Sequence, residues 1–315
     1  MPTDLIPRVA EAAEWRLVAA GLRQRVWALE RFLADVYGAG ECFADGVVPW
    51  RLTCASDKFR REVAGLAPPT GVRVHVAGID LARGEAGELR VTGDNVRIPA
   101  GVAAVLESRP AMHLAWPAVP GDHRILPPGQ YPSRLLSALR AAAPHGVADP
   151  CVVLLTPGVH NAAYPEHALL ARLMGVELVE GRQLSCYRNR VYVQAARGRR
   201  QVDVVYRRVD DDWLDPLHFR PDSMLGCAGL INAARAGNVT IANAVGNGVA
   251  DDKRIHGYVP DLIRYYLNEE PLLPNAPSPC PGGRTMRLFA VNDGSDVLVL
   301  PGAVRGPAGN PMDTA

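Results

Sequence analysis

Asp80 stands thirteen residues before position 93 and fifteen before Asn95. If two neighbouring strands carry them, positions 93 and 95 face one side while Asp94 points to the other, because side chains alternate along a strand. An acid and an asparagine facing each other across such a pair can share a hard divalent cation through oxygen ligands. The same residue types also cap loops and form turns, and spacing alone does not separate the two roles. Further along, Arg207 and Arg208 precede Asp210, Asp211 and Asp212 just after an apolar strand pattern. At the carboxyl end of a parallel strand such groups face a ligand crevice, where an arginine can fork onto a carboxylate substrate. The alternative is an internal Arg–Asp network that closes a loop. The stretch TPGVHNAAYPEH offers Asn161, Tyr164 and Glu166 to a substrate, although Glu166 also suits the first turn of a helix. Asn247 and Lys253 lie in a Gly-rich turn after VTIANA, with Asp251 placed to cap the next helix. Lys253 could reach a phosphate or simply be solvated. His75, His160 and His167 lack metal spacing and read as structural.

These residues need a scaffold, and hydrophobic periodicity supplies one. Val18, Leu22, Val26, Leu29, Leu33 and Val36 recur at helical spacing, predicting a helix over 11–37 that ends at Gly38 and Gly40. VRVHVAGIDLA and LRVTGDNVRI read as a β-hairpin around the turn RGEAGE, with Val72, Val74 and Val76 alternating on its first strand. A Pro-, Ala- and Gly-rich stretch over 110–150, with a helix from Pro132 to Ala143, marks a boundary between lobes. Residues 151–268 alternate β and α. Strands fall at CVVLLTPG, VELVEG and VTIANA, and a strand–turn–strand covers 187–208. Helices cover Tyr164–Met174, roughly Asp222–Ala236, and about Val259–Leu267. That order implies right-handed crossovers and a mainly parallel sheet. After Leu273 a Pro-rich joint leads to a hairpin, MRLFAVNDGSDVLVLPG, turning at NDG, and the tail reads as disordered.

Lys plus Arg is 34 and Asp plus Glu is 33, a formal net charge of +1 that points to neither nucleic acid nor a membrane surface as the main partner. The RGRR run at Arg197–Arg200 reads as a hairpin turn. The six cysteines form no CxxC pair and no zinc spacing, and read as small buried hydrophobes. The N-terminus lacks the pattern of a signal peptide, no apolar run is long enough to cross a bilayer, and a reduced, cytoplasmic setting is expected. There is no GxxxxGK[ST] phosphate loop, no GxGxxG after a strand, and no GxSxG elbow.

The stretch VHVAGIDLARGEAGELRVTGDNVRIPAGVAAVLESR resembles the signature of the circularly permuted ATP-grasp type 2 family, in which an Asp-bearing strand and turn precede Glu-Asp-Asn and Arg-Thr-Pro-Ser-Gly. PRVAEAAEWRLVAAGLRQRVWALERFLADVYG, VVLLTPGVHNAAYPEHALLARLMGVELVEGRQL, VDVVYRRVDDDWLDPLHFRPDSMLG, AGNVTIANAVGNGVADDKRIHGYVPDLIRYYLNEEPLLPN and RLFAVNDGSDVLVLPG follow the family order and cover nearly all the chain to Asn275, then a short piece near the end.

The resemblance implies a mixed α/β fold in three parts. A helix and metal-site hairpin lobe covers 1–130, a substrate-binding-like α/β lobe with a mostly parallel sheet covers 131–275, and a joint, residual hairpin and tail cover 276–315. It implies ATP-dependent joining of a carboxylate or peptide substrate to an amine through an acyl phosphate, with Mg2+ as the bridging cation. Asp80 and Asn95 match two metal ligands. Arg97 would hold a phosphate or acyl phosphate, its plainer role being a salt bridge to Asp94 or Glu107. Four departures stand against full activity. The expected ligand Glu is Gly93, the motif Ser is Ala100, the chain begins within the pattern, and a segment with a lysine and a glycine-rich lid is missing after LLPN. The expectation is a shortened ATP-grasp whose ATP binding is weak or absent. The alternative is a pseudoenzyme that binds a protein partner.

Overall fold

The computed structural model describes residues 11–84, 86–115, 128–195, 198–276 and 285–305. The Pro-rich joint, Cys280, the final tail and parts of the RGEAGE and RGRR turns lie outside those residues. Helix α1 (Ala12–Val36) buries the expected stripe, with Leu22, Val26, Leu29 and Leu33 at 0% exposure. Arg25 and Glu30 are buried on the same helix. Charges seldom go inside unless paired, so α1 carries polar anchors as well as core. The short helices α2 (Glu41–Ala44) and α3 (Trp50–Cys54) follow.

The expected hairpin forms from β1 (Val76–Arg83) and β2 (Leu89–Asn95). Val72–His75 does not alternate. All four residues are buried and outside the strand, because side chains replace the ladder there. The Glu30 carboxylate accepts from the Arg73 and Val74 amides, and Asn243 Oδ1 accepts from those of His75 and Val76. Helix α4 (Val102–Ala115) continues through Pro110, where composition alone pointed to a joint. Helix α5 (Tyr131–Ala141) matches the expected helix.

Strand β3 (Val152–Leu155), helix α6 (Tyr164–Met174) and strand β4 (Glu177–Val179) make a strand–helix–strand unit. A small antiparallel sheet follows, built from β5 (Leu184–Tyr187), β6 (Arg190–Ala195) and β7 (Gly198–Val202). Then come β8 (Val204–Arg207), α7 (Asp211–Leu214), α8 (Leu230–Arg235) and β9 (Thr240–Ala242). The helix expected over Asp222–Ala236 shrinks to α8. Gly229 adopts φ +86° just before it, and the Asp215 carboxylate takes the Gly229 and Ile231 amides, which fixes 215–229 as an irregular loop. Helices α9 (Lys253–His256) and α10 (Val259–Leu267) precede the strands β10 (Thr285–Asn292) and β11 (Val297–Arg305).

Among the described residues three sheets form: β11-β10-β1-β2, β4-β3-β8-β9 and β5-β6-β7. The second is parallel, as its continuously buried VVLL and VVYR strands require. In the first, β10 pairs with β1, so the late hairpin completes the early one. One face of that sheet, with Ile79, Leu81, Val91 and Leu288, packs in the core that includes α1. The other, with Val76, Phe289, Val291 and Leu300, shares a core with α4, α5, α6 and the strands β3 and β8. Strand β3 has β4 on one side and β8 on the other. The chain reverses direction across the sheet there, which is where ligand crevices form in open parallel sheets.

Candidate functional site

Register decides which side chains of the hairpin meet. Gly78 pairs with Asn95, Ile79 with Asp94, and Asp80 with Gly93. A bulge follows at Thr92, because Leu81 pairs with Val91. The bulge lies before position 93, so Asp94 stays on the opposite face from Asp80 and Asn95. Across the other edge of β1, Asp80 pairs with Arg287 of β10. Arg287 forks onto both carboxylate oxygens, Nε to Oδ1 at 2.8 Å and Nη2 to Oδ2 at 2.6 Å. A side chain at Gly93 would meet open space, and Asn95 Oδ1 is buried without a hydrogen-bond partner. Among the described residues no three His, Cys, Asp or Glu side chains gather to hold a metal ion.

The reverse face of β2 is closed. Arg25 from α1 donates to both oxygens of Asp94, at 2.5 and 2.7 Å, and to Asn275 Oδ1. His256 Nδ1 lies 2.8 Å from Asp94 Oδ2. Burial pushes the Asp94 carboxyl up, but Arg25 and then His256 outweigh it and hold it well below the usual carboxylate range.

The loop from Val96 to the start of α4 is clamped at nearly every residue. The Val96 amide donates to Asp251 Oδ1 at 2.6 Å. Arg97 pairs with Asp210 and lies 3.9 Å from Asp251, instead of meeting Asp94 or Glu107. Arg208 donates to the Pro99 carbonyl and to Glu166, and Arg287 to the Ala100 carbonyl. Glu166 Oε2 in turn accepts from the Gly101 and Ala103 amides, which supplies the α4 N-terminus with the acceptor its free amides need. Asp251 sits in this clamp with a carboxyl raised to about 7. Burial raises it, the Val96 amide and Arg97 pull it down, and Asp94 raises it further. Burial also raises Asp210, but Arg97 and Arg207 win and keep it below the ordinary value.

The other candidates divide between framework and open space. Arg207, 1% exposed, donates to the carbonyls of Val209, Asn243 and Ala244 and pairs with Asp211 at 2.8 Å. This is the internal network that the sequence allowed as an alternative. Asn247 is fully buried and donates to the Arg73 and Val96 carbonyls. Asn161 caps the Ala163 amide, and Lys253 is exposed. Asp252, not Asp251, caps α9. Tyr164 lines a cavity of about 630 Å3 with Thr156, Leu178, Glu180, Arg182, Gln183 and Gln194. The cavity opens beyond the carboxyl ends of β3 and β4, one strand away from the switch between β3 and β8. Sequence reasoning passed over Arg25, Asn243 and Arg287. For Arg287 a signal existed: it falls in step with Phe289 and Val291, so it marks a charge on the buried face of an alternating strand.

Residues 7–309 match a family model described as a circularly permuted ATPgrasp. An uncharacterized protein of Mycobacterium tuberculosis is 52% identical over 297 residues, which is 94% of this chain and 53% of that protein. An uncharacterized protein of Synechocystis is 44% identical over 321 residues, covering 100% of this chain and 67% of the relative. A putative glutamate–cysteine ligase of Frankia alni is 43% identical over 279 residues, 88% of this chain and 32% of its own length. The chain thus spans about half the length of the mycobacterial relatives it matches. The solved glutathione synthetase-like effector of Globodera pallida superposes with a TM-score of 0.50 at 12% identity, over 95% of this chain and 85% of that one. At that identity the likeness speaks to the fold alone. The match over nearly the whole chain places this protein in the circularly permuted ATP-grasp family.

Proposed function

We propose that the chain carries the framework of an ATP-dependent carboxylate–amine ligase in which metal-assisted phosphoryl transfer is weakened. The family and the ligase-named relatives support the reaction class. The observation that carries the weakening is the pairing of Asp80 with Arg287 across from a glycine. Two bridging Mg2+ ions need several anionic oxygens. Here Asp80 is already neutralised, Gly93 adds none, and a cation approaching Asp80 meets the Arg287 guanidinium. The residues present do not fit a two-metal site, so no step is routed through one.

In this reading Arg97 is the group nearest a transferring phosphate. To hold one it must release Asp210, which its partly exposed position permits. Tyr164 and the cavity beside it would take the small carboxylate or peptide substrate. Arg208 and Glu166 position the loop that bears Arg97, while Arg207 and Asp211 brace the strand end. Asn247 braces the same region from within, and Lys253 is free to approach a nucleotide. The described cysteines are free thiols, which suits work in a reducing cytoplasm. The second reading, a pseudoenzyme serving as a protein-binding module, draws on the same closed charge pairs. Calorimetry with ATP, with and without Mg2+, tests the proposal on this chain. Weak or absent binding is expected, and micromolar Mg2+-dependent binding would overturn it.

A further inference from the structure

Two cysteines far apart in sequence meet outside the cleft. Cys186 on β5 and Cys227, in the loop before α8, hold their sulfurs 3.5 Å apart. Cys227 is 4% exposed, while Cys186 is half-buried beside the exposed Tyr187. A disulfide brings the sulfurs to about 2 Å, so closing this gap needs only small side-chain rotations where the backbones already approach closely.

The approach is held by the residues around it. At Gly229 a Cβ would lie 3.2 Å from Cys186 Cβ, and its φ of +86° also suits glycine, so this position lets the loop press against β5. Asp215, 0% exposed, accepts from the Leu217, Gly229 and Ile231 amides and ties both ends of the loop together. The Cys227 amide itself donates to the Leu214 carbonyl. The sulfurs therefore face each other across a fixed gap.

We infer that Cys186 and Cys227 form a reversible dithiol–disulfide pair, oxidised by hydrogen peroxide, with Cys186 the attacking and Cys227 the resolving sulfur. The Cys186 thiolate attacks the peroxide O–O bond, giving a sulfenic acid and, once a proton is taken up, water. The Cys227 sulfur then attacks the Cys186 sulfur, the S–S bond forms, and the sulfenic oxygen leaves as a second water. Two thiols lose two electrons and two protons, and one peroxide is reduced to two waters. The division of roles follows from access and from the hydrogen bond between the sulfurs. That bond lowers the Cys186 pKa, and together with burial it raises that of Cys227. The bond would fasten the small antiparallel sheet to the loop that follows α7 and its Asp210–Asp212 turn. Redox state would thus bear on the segment that pairs with Arg97. The inference rests on this pair alone and stands whether or not the ligase reading does.

The test treats the folded, reduced chain with hydrogen peroxide and reads intact mass and peptide maps. The expected result is a loss of about 2 Da, restored by dithiothreitol, with the peptides of Cys186 and Cys227 joined. Cys186→Ser and Cys227→Ala should each abolish that loss. A Cys54→Ser chain, which alters an exposed thiol elsewhere, should keep it. Cys227→Ala should trap the sulfenic acid at Cys186, detected with a dimedone probe. No joined peptide in the folded native chain, or a bond made through other cysteines, would overturn the inference.

Discussion

The two faces of β2 treat charge in opposite ways. On one, Asp94 is sealed with Arg25, each side chain 1% exposed, and both carboxylate oxygens are filled. On the other, Asp80 and Arg287 are 19% and 11% exposed, Asn95 Oδ1 is unpaired, and space stands over Gly93. A buried ion pair that loses one member leaves the other charge stranded without water, whereas a pair at a cleft edge can be rehydrated or can change partner. The closed face therefore holds the hairpin to α1, while the open face keeps room for chemistry. This difference is measurable.

The largest effect is expected at Asp94. Asp94→Ala strands the Arg25 guanidinium in the core and should lower stability by about 3–5 kcal/mol in urea unfolding. Replacing both partners with apolar residues, Arg25→Met with Asp94→Leu, should recover most of that loss. If the single change is nearly neutral, the closed face is not structural. Asp251, where the strand ends between the two faces, comes next. Its carboxyl is raised from 3.8 to about 7, so across that window the folded chain holds a proton that the unfolded chain has released. The Asp251 contribution to stability therefore falls as pH rises from about 4 to about 7 and levels off above, against the rising contributions of His75 and His167, which burial keeps neutral. Asp251→Asn keeps an acceptor for the Val96 amide and removes the titration. The fall should flatten by up to ~4 kcal/mol, at about 1.4 kcal/mol per pKa unit, as read from unfolding midpoints across pH. An unchanged slope would place the titrating group elsewhere.

Much of this contrast was legible in the residues. The period of two put Asp80 and Asn95 on one face and Asp94 on the other, and the register agrees because the bulge falls at Thr92, outside the triplet. The helices over 12–36, 164–174 and 259–267 followed from apolar spacing and from glycine or αL stops. What periodicity missed was long-range polar satisfaction. Nothing local says that Glu30 will cap the Arg73 and Val74 amides, or that Arg208 and Glu166 will clamp a loop more than sixty residues away in sequence. The helix expected over 222–236 failed for the same reason, because Asp215 supplies the hydrogen bonds that a longer helix would have made itself. Arg287 was the costliest omission, since it turns one apparent metal ligand, Asp80, into half of an ion pair.

Gly93→Glu sharpens the contrast from the open side. The new side chain enters free space beside Asp80 and Arg287 and restores the carboxylate that the family pattern carries there. Mg2+-dependent ATP binding should rise at least about tenfold over the parent chain, or ~1.4 kcal/mol, by calorimetry. Equal affinities in the two chains would mean that this face is not where a cation could sit.

The smallest effect is expected at Asp80. Asp80→Ala leaves Arg287 at the cleft edge, where water can reach the guanidinium and the Ala100 carbonyl still accepts from it. A partly solvated pair of this kind contributes about 1 kcal/mol, well below the loss at Asp94. The same change frees a cation on the open face, so inorganic phosphate should bind more tightly to Asp80→Ala than to the parent chain. Both readouts follow from one premise, that the Asp80–Arg287 pair is exchangeable while the Asp94–Arg25 pair is not. A stability loss equal to that of Asp94→Ala, with no gain in phosphate binding, would show both faces of β2 to be framework and would remove the hairpin from the candidate site.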